Sequence, residues 1–319
     1  MSKNNQKILI TGGAGFIGTN LTKALLNQGE SVLSIDNLNN YYSPEIKKTN
    51  IEQFKNNPNY QFFKLDIKNL KNLKNIFNQN KFKTVIHLAA RAGVRASIQN
   101  PSNYIQTNIQ GTLNLLECLR KQPDIPFIFA SSSSVYGNIK KVPFKEDMNI
   151  NTPISPYAAT KLSSEAICYA YHHLYNIKMV GLRFFTVYGP HNRPDMAAYK
   201  FTDAIINNKI IEMYGDGNTS RDYTYVDDIV SGIIKSIDLK NDFEIINLGN
   251  SSPIKLKDFI QTLEKVIGKE AKIIKKSIPA GDVIQTYADI SKAKKLLNWE
   301  PKTPLKEGLN KLVKWYSPC

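Results

Sequence analysis

The chain of 319 residues carries 42 Lys and Arg against 27 Asp and Glu, a formal charge of +15, and 42% of its residues are hydrophobic. That composition suits a soluble globular protein with one large core, or a major core and a smaller one, and excludes fibrous and low-complexity classes. The lysines are scattered (Lys47, Lys48, Lys68, Lys71 and Lys74 among them) and are not interleaved with aromatics, so the excess reads as a solvated surface and not as a nucleic-acid footprint.

Residues 7–10 form a short apolar run, followed at once by Thr11-Gly12-Gly13-Ala14-Gly15-Phe16-Ile17-Gly18 and a helical pattern over 16–28. Further strands are expected over 31–35, 60–65, 84–88 and 127–130, with helices over 70–79 and 104–121 between them. A helix over 156–175 and a strand over 178–182 extend the series. Runs that are apolar throughout predict a parallel sheet buried on both faces, and the alternation predicts a Rossmann-like, doubly wound α/β fold. After Tyr188 the elements shorten and Gly, Pro and Asn turns multiply. The expected division is a dinucleotide-binding domain over 1–188, with 223–250 as a candidate return to it, and a smaller α/β substrate domain over 189–319.

Gly12, Gly15 and Gly18 follow the first strand and open the first helix, with Phe16 and Ile17 between them. In that context the glycines allow a tight turn, close approach of backbone to a pyrophosphate, and close helix–sheet packing. Asp36, followed by Asn37, ends the second strand, where a carboxylate accepts from a ribose 2′-hydroxyl and repels a 2′-phosphate. NAD is therefore the expected cofactor, in preference to NADP. The competing role for Asp36 is a turn cap.

Tyr157 and Lys161 lie four residues apart on the 156–175 helix, hence on one face. An ammonium beside a phenol is expected to lower the phenol's pKa from ~10 and give a base near neutral pH. The Ser131–Gly137 run follows the fifth strand, at the sheet edge where ligands bind in open α/β folds. His87, ending an apolar strand, is expected to be a structural, hydrogen-bonded histidine. Cys118, Cys168 and Cys319 share no metal-ligand spacing, and no metal site is expected. No apolar run approaches the ~20 residues of a membrane span, so a reducing, cytoplasmic setting without membrane insertion is expected.

The blocks TGGAGFIG (11–18), HLAA (87–90), SSSSVYG (131–137) and YAATK (157–161), in this order, resemble the extended short-chain dehydrogenase/reductase family of nucleotide-sugar enzymes. The resemblance implies that Ser132 polarises the sugar O4, that Tyr157 is the base, and that Lys161 also holds the nicotinamide ribose. It implies an adenine-binding pair at Asp66 and Ile67, and a cofactor-lining segment at Leu88, Ala89 and Ala90. Dehydratases of this family carry an Asp-Glu pair just after the catalytic hydroxyl, and decarboxylases keep a Glu there. This chain has Ser133 and Ser134, which favours simple return of hydride to the opposite face, an epimerisation.

The segment 182–196, with Asp36-Asn-Leu-Asn-Asn-Tyr-Tyr and Ala92-Gly-Val-Arg95-Ala-Ser97, resembles the UDP-glucuronate 4-epimerases more than the UDP-galactose enzymes. By that likeness Thr186 and Arg193 contact the sugar carboxylate, helped by Ser133 and Ser134, and Arg95 faces the substrate. Arg221 binds the UDP diphosphate, Tyr214 stacks on uracil, and Asp282 lies near the nucleotide. His191-Asn192 and Arg91 depart from the subgroup's usual residues. The alternatives are a UDP-glucose/UDP-galactose or N-acetylhexosamine 4-epimerase, a UDP-glucuronate decarboxylase, and a non-catalytic NAD-binding regulator. The last would be expected to have a broken Ser/Tyr/Lys set. Family likeness further implies a homodimer pairing through helices at 102–121 and 155–175.

Overall fold

The computed structural model describes residues 6–277 and 283–317. Its main sheet has seven parallel strands: β1 (Lys7–Thr11), β2 (Val32–Asp36), β3 (Tyr60–Lys64), β4 (Phe82–His87), β5 (Phe127–Ser132), β6 (Met179–Phe184) and β10 (Phe243–Leu248). Their order is β10-β6-β5-β4-β1-β2-β3, so the direction of winding reverses between β1 and β4. Consecutive residues of a strand point to opposite faces. Thus Ile8 and Ile10 join one buried cluster and Leu9 the other, and Ile128 divides from Phe127 and Phe129 in the same way. Two-sided burial accounts for strands that read as unbroken apolar runs.

The first three helices are α1 (Phe16–Asn27), α2 (Pro44–Glu52) and α3 (Leu70–Gln79). Two short helices, α4 (Val94–Gln99) and α5 (Pro101–Tyr104), precede the helix expected over 104–121, which is divided into a π-helical turn over Ile105–Gln110 and α6 (Gly111–Leu119). The wide turn has a local cause. The Asn108 side chain accepts from the Arg91 amide and donates to the Arg91 carbonyl and the Thr160 hydroxyl, at 2.8 to 3.0 Å. Gly111 lies so close to Ile67 that a Cβ would come within 2.4 Å of it. By contrast α7 (Pro156–Tyr175) is one unbroken helix, with proline in its first turn and the Ser155 hydroxyl accepting from the Ala158 amide.

Past β6 the chain forms two smaller sheets. One joins β7 (Thr186–Tyr188), β9 (Ser220–Tyr225) and β11 (Pro253–Lys255); the other pairs β8 (Ile210–Tyr214) with β12 (Lys272–Lys276). Between them the chain contributes β10 to the edge of the main sheet, beside β6. Cys118 and Cys168 are free, buried thiols on helices. Among the described residues no helix is long and apolar enough to cross a membrane, and no cluster of side chains is arranged to hold a metal.

Candidate active site

The C-terminal ends of β1, β2, β4 and β5 open onto a cleft of about 1130 Å³, whose far wall is built from β7, β8 and β9. At the β1–α1 turn Gly12 has a φ of +73°, and a Cβ there would lie 2.8 Å from the Ala89 amide. A Cβ on Gly18 would lie 2.2 Å from the Gly12 carbonyl. No side chain caps α1, so its first-turn amides are left for a ligand in the cleft lined by Gly15, Phe16, Ile17 and Gly18. This closely packed turn is suited to a pyrophosphate, and Asp36, Asn37, Asp66, Ile67, Leu88, Ala89 and Ala90 continue the same wall.

Asp36 does two things. One carboxylate oxygen accepts from the Leu38 amide at 2.8 Å, the cap weighed as its competing role, and the residue also lines the cleft. Burial raises its pKa, and the nearby Lys47 ammonium opposes that rise. Lys47 was not singled out from the sequence. It is buried on α2, donates to the Asn39 carbonyl and side chain at 3.0 and 3.1 Å, and lines the cleft beside Asp36. Its only signal was its place in a helix that follows Asp36-Asn37, where a lysine reads as one more surface charge.

Ser132, Tyr157 and Lys161 come together at the end of β5. The Lys161 ammonium donates to the Ala130 carbonyl at 2.7 Å. The Ser132 hydroxyl accepts from the Ser134 amide at 3.2 Å, and faces the Tyr157 phenol. One expectation is corrected here. Burial raises the Tyr157 pKa, and the groups that pull it down are the Ser132 hydroxyl and the Arg193 guanidinium, not Lys161, whose ammonium is turned to the strand carbonyl. Burial also lowers the Lys161 pKa to about 8, with Glu165 pulling the other way. His87 is structural as expected: its ring nitrogens lie 2.7 and 3.0 Å from the Thr11 and Thr112 hydroxyls.

The substrate-side residues Arg95, Ser133, Ser134, Thr186, Arg193, Tyr214 and Arg221 all line the same cleft; Asp282 falls outside the described residues. Arg193 holds a two-point ion pair with Asp195, a residue the sequence reading passed over, and its guanidinium lies 5.5 Å from the centre of the Tyr41 ring. The Tyr214 ring, expected to stack on uracil, has the Arg95 guanidinium over it at 4.2 Å. Arg221 donates to the Ser220 and Ile284 carbonyls at 2.9 and 3.3 Å.

A Rossmann sheet with an NAD-compatible glycine turn, and a serine, a tyrosine and a lysine gathered at its C-terminal edge, defines an enzyme of the short-chain dehydrogenase/reductase class. The family profile described as GDP-mannose 4,6 dehydratase matches residues 9–312. A UDP-glucuronate 4-epimerase of Thermodesulfobacterium geofontis is 47% identical over 308 residues, 96% of this chain and 95% of that protein. The UDP-glucuronic acid 4-epimerase of Bacillus cereus, solved with UDP-glucuronic acid and NAD, has a TM-score of 0.92 at 38% identity, covering 97% of this chain and 98% of that one. For the UDP-glucose 4-epimerase of Thermotoga maritima, solved with UDP-glucose, the TM-score is 0.89 at 33% identity, with 98% of each chain covered. The chain belongs to this family, a branch of the extended short-chain dehydrogenases/reductases. It is an NAD-dependent enzyme of the nucleotide-sugar 4-epimerase type.

Proposed function

We infer that the chain interconverts UDP-glucuronate and UDP-galacturonate by inverting the configuration at C4. The observation that carries this reading is the position of Arg193, which lines the same cleft as the Tyr157 phenol, Ser133, Ser134 and Thr186, and whose charge favours the phenolate. In a hexuronate the carboxylate is attached to C5, next to the reacting carbon. A phenol that addresses O4, with a guanidinium beside it, matches that arrangement, and guanidinium is well suited to a carboxylate.

In this reading NAD supplies the chemistry of hydride acceptance from C4 and its return to the opposite face. Tyr157 takes and returns the O4 proton, Ser132 hydrogen-bonds to O4, and Lys161 holds the nicotinamide ribose. The glycine turn, Asp36 and the Asp66–Ile67 pair hold the adenosine diphosphate half. The 4-keto sugar formed in passing is a β-keto acid, which loses CO2 when its carboxylate bond aligns with the ketone π system. Arg193, Thr186 and the two serines would hold the carboxylate out of that alignment. No carboxylate side chain at positions 133 and 134 is available to protonate a leaving group, which supports epimerisation over elimination.

Arg221 and Tyr214 are assigned to the UDP half, with Arg95 moving off, or sandwiching uracil against, the Tyr214 ring. In this division of labour residues 1–188 and β10 serve the cofactor, and most of 189–319 serves the sugar nucleotide. A homodimer is part of the proposal, because Ile98, Ile105, Tyr169 and Leu174, on α4, the π-helical turn and α7, are each more than half exposed.

The test is incubation of the enzyme with UDP-glucuronate, UDP-glucose and UDP-N-acetylglucosamine, with products followed by NMR. UDP-galacturonate without pentose or CO2 is the expected result. Turnover confined to a neutral sugar would reject the uronate assignment.

A further inference from the structure

Tyr157, Lys161 and Glu165 form a stripe on α7 at steps of four residues, and each meets one of three consecutive residues of β5. Tyr157 faces the Ser132 hydroxyl, Lys161 donates to the Ala130 carbonyl at 2.7 Å, and Glu165 accepts from the Ser131 hydroxyl at 2.5 Å. Glu165 has no part in the chemistry described so far, yet it is as buried as Lys161. Its carboxylate also takes both Nε and Nη2 of Arg183, at 2.9 and 2.8 Å. Arg183 stands opposite Ser131 in the β5–β6 register, and its Nη1 donates to the Tyr136 hydroxyl at 2.9 Å.

An ion pair enclosed in this way is a poor device for stability. Desolvating two charges costs several kcal/mol, and apolar residues of the same volume often do as well or better. What such a pair does supply is geometry: a carboxylate held at two points by a planar guanidinium, and at a third by a hydroxyl, can occupy one place only.

We propose that Glu165, clamped by Arg183 and Ser131, is a positioning residue for Lys161 and Tyr157, setting the height of α7 on β5 at which the phenol meets the Ser132 hydroxyl. The clamp also acts through charge. The titratable groups whose charge reaches Lys161 are Glu165 and Cys168 on its own helix and His87 on β4, with Arg183 on β6 behind Glu165. Burial keeps His87 neutral and the Cys168 thiol protonated, so Glu165 is the anion that favours the Lys161 ammonium. Without it the ammonium is lost at a lower pH, and an unpaired Arg183 would push the same way.

Two variants test this, Glu165→Gln and Glu165→Gln/Arg183→Met, the second removing both buried charges. Lys161 is titrated directly by its side-chain ¹⁵N resonance, identified by its absence in Lys161→Met. In parallel the pH profile of kcat/KM is recorded with whichever UDP-sugar the wild type turns over fastest. A neighbouring charge moves a buried group by about one pH unit or more, so the Lys161 midpoint and the alkaline limb should both fall by about that much in Glu165→Gln, and by a smaller amount in the double variant, where the Arg183 charge is gone as well. At pH 8, where half of the wild-type Lys161 is charged, kcat should drop about fivefold in Glu165→Gln with KM within twofold.

Wild-type midpoints and limbs in the folded variants would overturn the proposal. So would a loss that vanishes on correction for the folded fraction, or failure of both variants to fold, which would mark the clamp as purely structural. The proposal rests on the NAD-dependent chemistry at Tyr157 and Lys161, not on the uronate. A wild type inactive on every UDP-sugar would sink the functional reading while leaving the Lys161 titration to decide the role of Glu165.

Discussion

Arg193 and Asp195 form a two-point ion pair, Nε to Oδ1 at 2.9 Å and Nη2 to Oδ2 at 2.6 Å, on the wall of the cleft that holds the Tyr157 phenol. The pair holds the Asp195 pKa below its ordinary value, so it persists through the neutral range. It leaves Nη1 outside the contact, and a sugar carboxylate would bind there or displace Asp195. In both cases, on the uronate reading proposed above, Arg193 would be the cation that meets it.

Replacing Arg193 by alanine should therefore weaken UDP-glucuronate selectively. A hydrogen bond to a charged group contributes about 1.5–3 kcal/mol, which corresponds to a loss of about 10- to 100-fold in affinity. Calorimetric titration of UDP-glucuronate and of UDP into wild type and Arg193→Ala measures it. An equal loss on UDP would assign the arginine to the diphosphate and remove the main support for a uronate substrate.

Tyr157→Phe removes only the phenolic oxygen. A positioned acid–base group contributes about 10²- to 10⁴-fold, so turnover should fall by that factor while the melting temperature and the bound NAD content stay at wild-type levels. The ring still packs edge-on against Tyr104, with centroids 6.2 Å apart, so the substitution should not disturb the fold. Unchanged turnover would end the proton-transfer role assigned to Tyr157.

The parts of the site that were legible in the sequence share one property: they use residue types that are out of place unless a ligand explains them. Three glycines in a strand-to-helix turn and a tyrosine–lysine pair at helical spacing are of this kind, and both lie where expected in the cleft. The inner strands β1, β2, β4, β5 and β6 were legible because burial on both faces leaves unbroken apolar runs, whereas β10, at the sheet edge, fell only within the candidate return over 223–250. Glu165, Lys47 and Asp195 were not, because a charged residue in a helix or loop ordinarily belongs to the solvated surface. What sets Glu165 and Lys47 apart is a buried setting with a partner distant in sequence, Arg183 for Glu165 and Asp36 for Lys47, whereas Asp195 is marked only by its pairing with Arg193 two residues earlier. The break in the helix over 104–121 was hidden for a similar reason. It depends on Asn108 bonding the backbone of Arg91, a contact between segments that no periodicity reports. The direction of the Tyr157 pKa shift depended on where the Lys161 ammonium points, which a four-residue spacing leaves open.

Gly18→Ala tests the glycine turn. In a helix alanine is ordinarily favoured over glycine by about 1 kcal/mol. Here the added Cβ would meet the Gly12 carbonyl at 2.2 Å and the Gly13 Cα at 2.9 Å, both backbone atoms with little freedom to move. Overpacking of this kind costs about 1–3 kcal/mol, so the substitution should lower the melting temperature despite the better helix former. It should also reduce the NAD that co-purifies with the protein, measured by chromatography after denaturation. Full NAD content at wild-type stability would show that the turn does not require a glycine there.

His87 gives a prediction for stability against pH. It is fully enclosed between Thr11 and Thr112, and burial pushes its pKa down to about 3. In the unfolded chain a histidine titrates near ~6.5. The unfolded state therefore binds an extra proton between about pH 3 and about 6.5, and the stability associated with neutral His87 is complete above that window and lost as pH falls through it. Each unit costs about 1.4 kcal/mol, so the fall from pH 6.5 to pH 5 should cost about 2 kcal/mol. Asp222 acts in the opposite sense: burial raises it to about 6, so the folded chain takes up its proton first and gains stability as pH drops below that value. A comparison with His87→Gln removes the Asp222 contribution, which both proteins share, while leaving an amide able to bridge the two threonines. Urea unfolding at pH 7 and pH 5 should show wild type losing about 2 kcal/mol more than the variant over that interval; parallel losses would show that His87 is protonated in the folded protein or that its burial carries no penalty.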